Sequence, residues 1–140
     1  MRIHAKSKTD ARAARKPETI LVVDDESEVC KLVQRVLRRD HFRVLCATSG
    51  RSALAQLQRR GVDLMILDIR MPDLNGIQVL EQLRRCGKRL PVLMLTAYGH
   101  LDTARQAMQL GAYDYITKPF NIALVKKIVR EALQSVSQEK

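Results

Sequence analysis

The 140-residue chain has no tryptophan, three tyrosines and two phenylalanines, so its core has to come from aliphatic side chains. Its cysteines, Cys30, Cys46 and Cys86, are odd in number and far apart. That argues against a disulfide framework or a zinc site and for reduced thiols in packed positions. The histidines, His4, His41 and His100, are equally scattered. No apolar run approaches the roughly 18 residues a membrane helix needs, and no hydrophobic segment follows the start, so a cytoplasmic location is expected. No G-x-G-x-x-G occurs, which removes the dinucleotide-binding fingerprint. The one Gly-Lys pair, Gly87-Lys88, continues with Arg89 and has no partner glycine at phosphate-loop spacing, which argues against a P-loop ATPase.

Acid is also in short supply: 15 acidic residues stand against 25 Lys and Arg, a formal charge of +10. Met1 to Glu18 holds six bases and two acids, hence four of the ten net charges. It lacks sustained apolar periodicity and closes at Pro17, so residues 1–18 are expected to form a basic, flexible or weakly helical tail and residues 19–140 the folded domain. A targeting peptide would be similarly Arg-rich, but the apolar face here is only Ile3 and alanines. In the body the bases are distributed over several helices, which reads as solvated faces rather than one nucleic-acid-binding stripe. Binding of nucleic acid through the tail stays open.

What the chain does have is strand and helix in alternation, five times over. Ile20–Val23 is continuously apolar, as an interior parallel strand is. Val29, Leu32, Val33, Val36 and Leu37 recur at helical spacing and predict a helix over Ser27 to Arg39. Phe42 to Ala47 alternates at first and suits an edge strand. Further helices are expected over about 50–60, 75–86, 101–110 and 122–136, with Gly61, Gly87 and Gly111 as left-handed C-caps and Asn121 as an N-cap. This pattern gives an α/β domain with a parallel sheet covered on both faces.

Four apolar runs end in polar groups: Ile20–Val23 in Asp24-Asp25, Asp63–Leu67 in Asp68, Val92–Leu95 in Thr96, and Tyr113–Thr117 in Lys118-Pro119. In an open parallel sheet these endings converge in the crevice beyond the carboxyl ends of the strands. Each pair of like charges at ~4 Å costs on the order of 4 kcal/mol at an effective dielectric near 20, so Asp24, Asp25 and Asp68 need cations beside them. Lys118 supplies one. An all-oxygen donor set with the remaining charge suits a hard divalent ion, magnesium best. Thr96 adds a hydroxyl and Lys118 a point charge suited to a phosphoryl oxygen. The set points to phosphoryl transfer with a carboxylate attacking in line.

Leu-Val-Val-Asp24-Asp25, Leu-Asp68-Ile-Arg-Met-Pro-Asp-Leu-Asn-Gly, Leu-Thr96-Ala and Gly-Ala-Tyr-Asp-Tyr115-Ile-Thr-Lys118-Pro119-Phe together make the chain, from Thr19 to about Ser135, resemble the receiver domain of two-component response regulators. The resemblance implies a flavodoxin-like, doubly wound five-stranded parallel sheet of order 2-1-3-4-5 with five helices, and a cis Lys118-Pro119 bond. It makes Asp68 the phosphoacceptor, with a histidine kinase or histidine phosphotransfer protein as donor. Asp25 and Asp68 become direct magnesium ligands, Asp24 a ligand through water, and the backbone carbonyl of Arg70 a further one. Thr96 and Lys118 would bind the phosphoryl group. Movement of Thr96 and of the Tyr115 ring would remodel the surface of helix 4, strand 5 and helix 5, while Arg70 and Tyr98 would set the lifetime of the acyl phosphate. Such a domain catalyses only its own phosphorylation and dephosphorylation. The enzymatic rival, a metal-dependent phosphatase working through an aspartyl phosphate, would turn over an external ester.

The motifs look most like receivers of enhancer-binding transcriptional activators. As the chain ends shortly after the fifth helix, a stand-alone regulator acting on a protein target, a phosphorelay intermediate or phosphate sink, and the excised receiver of a longer transcription regulator are all compatible. So is a phosphorylation-dependent homodimer.

Overall fold

The computed structural model describes residues 16–97 and 100–139, with side chains through Val136. Most of the expected tail, and Tyr98, lie outside the described residues. Five strands, β1 (Thr19–Val23), β2 (Arg43–Ala47), β3 (Leu64–Asp68), β4 (Val92–Ala97) and β5 (Asp114–Lys118), alternate with five helices, α1 (Ser27–Arg39), α2 (Gly50–Arg59), α3 (Gly76–Arg85), α4 (Leu101–Gln109) and α5 (Ile122–Glu139). The strands form one sheet in the order β2-β1-β3-β4-β5, and every neighbouring pair is parallel. That is the expected doubly wound order, with β2 at an edge. Among the described residues no helix is long and apolar enough to cross a membrane.

Period two divides the core. Ile20, Val22, Leu64, Ile66, Leu93 and Leu95 pack on one face with α1 and α5. Leu21, Val23, Met65, Leu67, Val92 and Met94 pack on the other with α2, α3 and α4. Continuous apolar runs in β1, β3 and β4 are what a strand covered on both sides requires. Each fully buried Leu or Ile contributes ~1.5–3 kcal/mol, and these three strands supply most of the fully buried large side chains. That stabilisation offsets the cost of gathering acids at the strand tips.

The helix ends bear out two of the three expected glycine caps and correct the third. Gly87 and Gly111 have φ of 77° and 85° and close Schellman turns, with Lys88 N donating to Leu83 O and Ala112 N to Ala107 O. Gly61 is not in the left-handed region; α2 stops at Arg60 in an extended conformation (φ −128°, ψ 146°). Among the described residues the third left-handed one is His41, φ 70°, which ends α1 with Phe42 N donating to Leu37 O. A side chain there costs about 1 kcal/mol relative to glycine. His41→Gly should therefore raise the unfolding free energy by about that much, seen as a higher urea midpoint at unchanged m-value; a lowered midpoint would show that the imidazole itself stabilises the turn.

Candidate functional site

The same period that builds the core delivers the site. Asp24, Asp68 and Lys118 are each two residues beyond an apolar side chain of the α1/α5 face, namely Val22, Ile66 and Ile116, so one parity carries all three to the same end of the sheet. Asp24 extends the ladder past β1, its N–H donating to Ala47 O at 3.1 Å. β1 and β3 are neighbours across the point where the strand order reverses, the position at which such sheets form their crevice.

One carboxylate oxygen from each of Asp24, Asp25 and Asp68 lies within 4.8 Å of the others. Asp24 is fully buried and Asp68 is 4% exposed, while Asp25 is open to solvent. Lys118 Nζ sits 2.7 Å from Asp24 Oδ2 and 3.3 Å from Asp68 Oδ2. It also donates to Glu26 Oε1 at 3.3 Å. The contact with Asp24 is one of charge, for Asp24 Oδ2 accepts no aligned hydrogen bond among the described residues. Asp24 Oδ1 is satisfied by Glu26 N at 2.9 Å. A buried carboxylate oxygen without a directed donor, beside two more carboxylates and open on the Asp25 side, fits a hard cation with oxygen ligands.

Burial first, and then the negative charge of Asp24, push the Asp68 carboxyl up to about 6, against the pull of Lys118 and of the Arg70 N–H. For Lys118, burial works to lower the ammonium, but Asp24 and Asp68 outweigh it and the net direction is upward. The Asp68 shift has a stability consequence. The folded state holds that proton more tightly than the unfolded state, whose value is 3.8. The resulting stabilisation is complete below 3.8 and is lost as pH rises through about 6. Metal-free Asp68→Asn should therefore be more stable than the parent at pH 8, by on the order of 1–2 kcal/mol, with the gain fading below pH 6. Urea midpoints in a chelator at the two pH values check this; a gain that does not depend on pH would contradict it.

The other expected site residues fall out differently. Thr96 is buried (1% exposed) and follows Met94 on the opposite parity, and its hydroxyl lies 3.5 Å from the carbonyls of Ala97 and His100. Arg70 N donates to Asp68 Oδ1 at 3.3 Å, and the exposed Arg70 side chain reaches His100 Nε2 at 3.5 Å. Tyr115 is 36% exposed at the β5 edge. The Lys118-Pro119 bond is cis, as expected. Glu26, a third acid on Lys118, was missed by the sequence reading; its signal was the unbroken run Asp24-Asp25-Glu26.

Close packing holds the loop after β3. Gly76 N donates to Ile69 O at 2.8 Å. Asn75 caps α3 through a capping box with Gln78, each side chain accepting from the other's backbone N–H at 2.9 Å.

An order-2-1-3-4-5 sheet with an acid cluster and a lysine at its carboxyl end defines a class, and the comparisons agree with it: the response regulator receiver domain family matches residues 20–130. The chain belongs to that family. It is 39% identical to the regulatory protein AtoC of Escherichia coli K12 over 121 residues, covering 86% of this chain and 26% of AtoC. It is 43% identical to the regulatory protein VanRc of Enterococcus gallinarum over 117 residues, 81% of this chain and 50% of VanRc. The chain thus spans about a quarter to a half of the length of these relatives. Among solved structures, the receiver domain of NtrX from Brucella abortus matches with a TM-score of 0.77 at 35% identity, covering 82% of this chain and 98% of that one. A CheY-like receiver domain protein from Methanospirillum hungatei reaches 0.85 at 26% identity, covering 89% and 100%.

Proposed function

We propose that this receiver is a phosphorylation-driven switch in which Asp68 accepts a phosphoryl group from a sensor histidine kinase or a histidine phosphotransfer protein, with Mg2+ as cofactor. The observation that carries the reading is the Asp24–Asp25–Asp68 cluster with one ammonium, Lys118, and one buried oxygen, Asp24 Oδ2, that accepts no directed hydrogen bond. Asp25, Asp68 and the backbone carbonyl of Arg70 would hold the ion, with Asp24 holding it through water. When bound, the ion supplies neutralisation of the phosphoryl oxygens and of the attacking carboxylate. Lys118 stands between Asp24 and Asp68, where its ammonium offsets the same negative charge. The Arg70 N–H orients Asp68 Oδ1. Mixed with an acyl phosphate and Mg2+, the protein should gain the mass of one phosphoryl group and then stop; continued release of phosphate from an external ester would favour a phosphatase instead.

The switch runs through Thr96 and Tyr115. Phosphate alters output only by binding one arrangement of these residues better than the other. The output surface is α4, β5 and α5, where Leu101, Met108, Tyr115 and Leu124 are exposed apolar side chains, suited to a protein target or a second copy of the receiver. Arg70 and Tyr98 set the lifetime of the phosphorylated form, because neither positions a water well. Arg70→Asn with Tyr98→Ala should speed dephosphorylation several-fold; an unchanged decay rate would remove both residues from that role. A gel shift with and without Met1 to Glu18 tests whether the basic tail binds nucleic acid.

A further inference from the structure

Two thiols outside the phosphorylation chemistry face each other in the core on the α1/α5 side. Cys30, on the first turn of α1, is 2% exposed, and Cys46, on edge strand β2, packs against the same cluster with partial exposure. The sheet register places them together: Cys46 is the partner of Val22, and Cys30 Sγ lies 3.8 Å from Val22 O. Cys46 Sγ in turn approaches Cys30 O at 3.6 Å, and Cys30 Sγ lies 3.6 Å from the carbonyl of Ala47, the residue after Cys46. Both are reduced in this structure. We propose that Cys30 and Cys46 form an oxidation site, a dithiol that a peroxide-class oxidant converts into an intramolecular disulfide linking α1 to β2.

The roles of the two sulfurs are unequal. Cys46 is on the edge strand and only partly buried, whereas Cys30 is 2% exposed, so Cys46 is the sulfur an oxidant meets first, and its neighbours Cys30 and Arg38 hold its thiol below the usual range. Cys46 therefore attacks as thiolate. Its sulfur forms a bond to one peroxide oxygen, the O–O bond breaks, and the departing oxygen takes a proton, leaving a sulfenic acid on Cys46 and an alcohol or water. Cys30 sulfur then bonds to Cys46 sulfur as the S–O bond breaks, and the Cys30 proton leaves with that oxygen as water. Two thiols and one peroxide become one disulfide, one alcohol or water, and one water, with two electrons moved from sulfur to oxygen. Cys30 Sγ is 3.4 Å from Asp24 O, so the modification lies beside the acid cluster without using it.

Cys86 is exposed and would join chains to one another, so the test uses the folded full chain carrying Cys86→Ser. The protein is treated with hydrogen peroxide, alkylated under denaturing conditions and digested. The expected result is loss of both remaining thiols, a single Cys30–Cys46 crosslinked peptide, a mass lower by about 2 Da, and full recovery with dithiothreitol. Cys30→Ala in the same background should instead trap a sulfenic acid on Cys46 with dimedone. Survival of both thiols, oxygen adducts without a crosslink, or equally fast crosslinking of protein already unfolded in denaturant would each overturn the proposal. No phosphodonor is used, so a negative result leaves the phosphorylation reading untouched.

Discussion

Lys118→Ala is expected to lower the stability of the metal-free protein at neutral pH by about 3–5 kcal/mol and to slow phosphoryl acceptance on the order of a hundredfold. The ammonium is 2.7 Å from Asp24 Oδ2 and 3.3 Å from oxygens of Asp68 and Glu26, and Asp24 is wholly enclosed. Without it, a buried carboxylate keeps a negative neighbour and loses its cation, which is the costly way to break a buried pair. The loss should depend on pH in a defined direction. Acids left without Lys118 bind protons more tightly when folded than when unfolded, so the variant regains stability as pH falls. Saturating Mg2+ should restore part of it by mass action. Urea unfolding at two pH values, with and without Mg2+, checks all three statements. A midpoint equal to the parent's at neutral pH in chelator would mean that the ammonium offsets nothing.

Gly76→Ala is expected to cost roughly 2–3 kcal/mol, more than a surface change and more than a lost cap. A Cβ at this position would lie 2.4 Å from Asp68 O and 2.8 Å from Ile69 Cα. Both are backbone atoms, so no rotamer change relieves the contact; α3 has to retreat from the end of β3. The parallel substitution Asn75→Ala removes the capping-box acceptor and should cost ~1 kcal/mol without displacing the helix. Comparing the two separates close approach from capping. If Gly76→Ala unfolds with the parent, the loop that carries Asp68 is not held by this contact.

The sheet and the cluster were legible because they share one signal. Val22, Ile66 and Ile116 announce buried strands, and the polar residue two places later on each announces the crevice. Strand order was not legible from pattern, since Val22 pairs with both Cys46 and Ile66 and nothing local distinguishes an inner from an outer neighbour. It came from the family resemblance. Thr96 was grouped with the acids because it also ends a strand; its parity is that of Met94, and its hydroxyl lies near the carbonyls of Ala97 and His100. Gly61 and His41 show the limit of reading caps from composition. Glycine permits a left-handed residue without requiring one, and a side chain takes that conformation where the following segment is pinned, as Phe42 is by Leu37 O. Cys30 and Cys46 were each readable as packed thiols, but their meeting depends on the register of β2 against β1, which no single segment encodes.

The most direct measurement is to find where phosphorus is attached. The full chain, incubated with an acyl phosphate and Mg2+, is treated with borohydride, which reduces an aspartyl phosphate to homoserine, and is then sequenced by mass spectrometry. Homoserine at position 68, dependent on Mg2+ and lost in Asp68→Asn, is the predicted result. Unmodified Asp68 beside homoserine at another carboxylate, or no conversion at all in folded protein, would contradict the account.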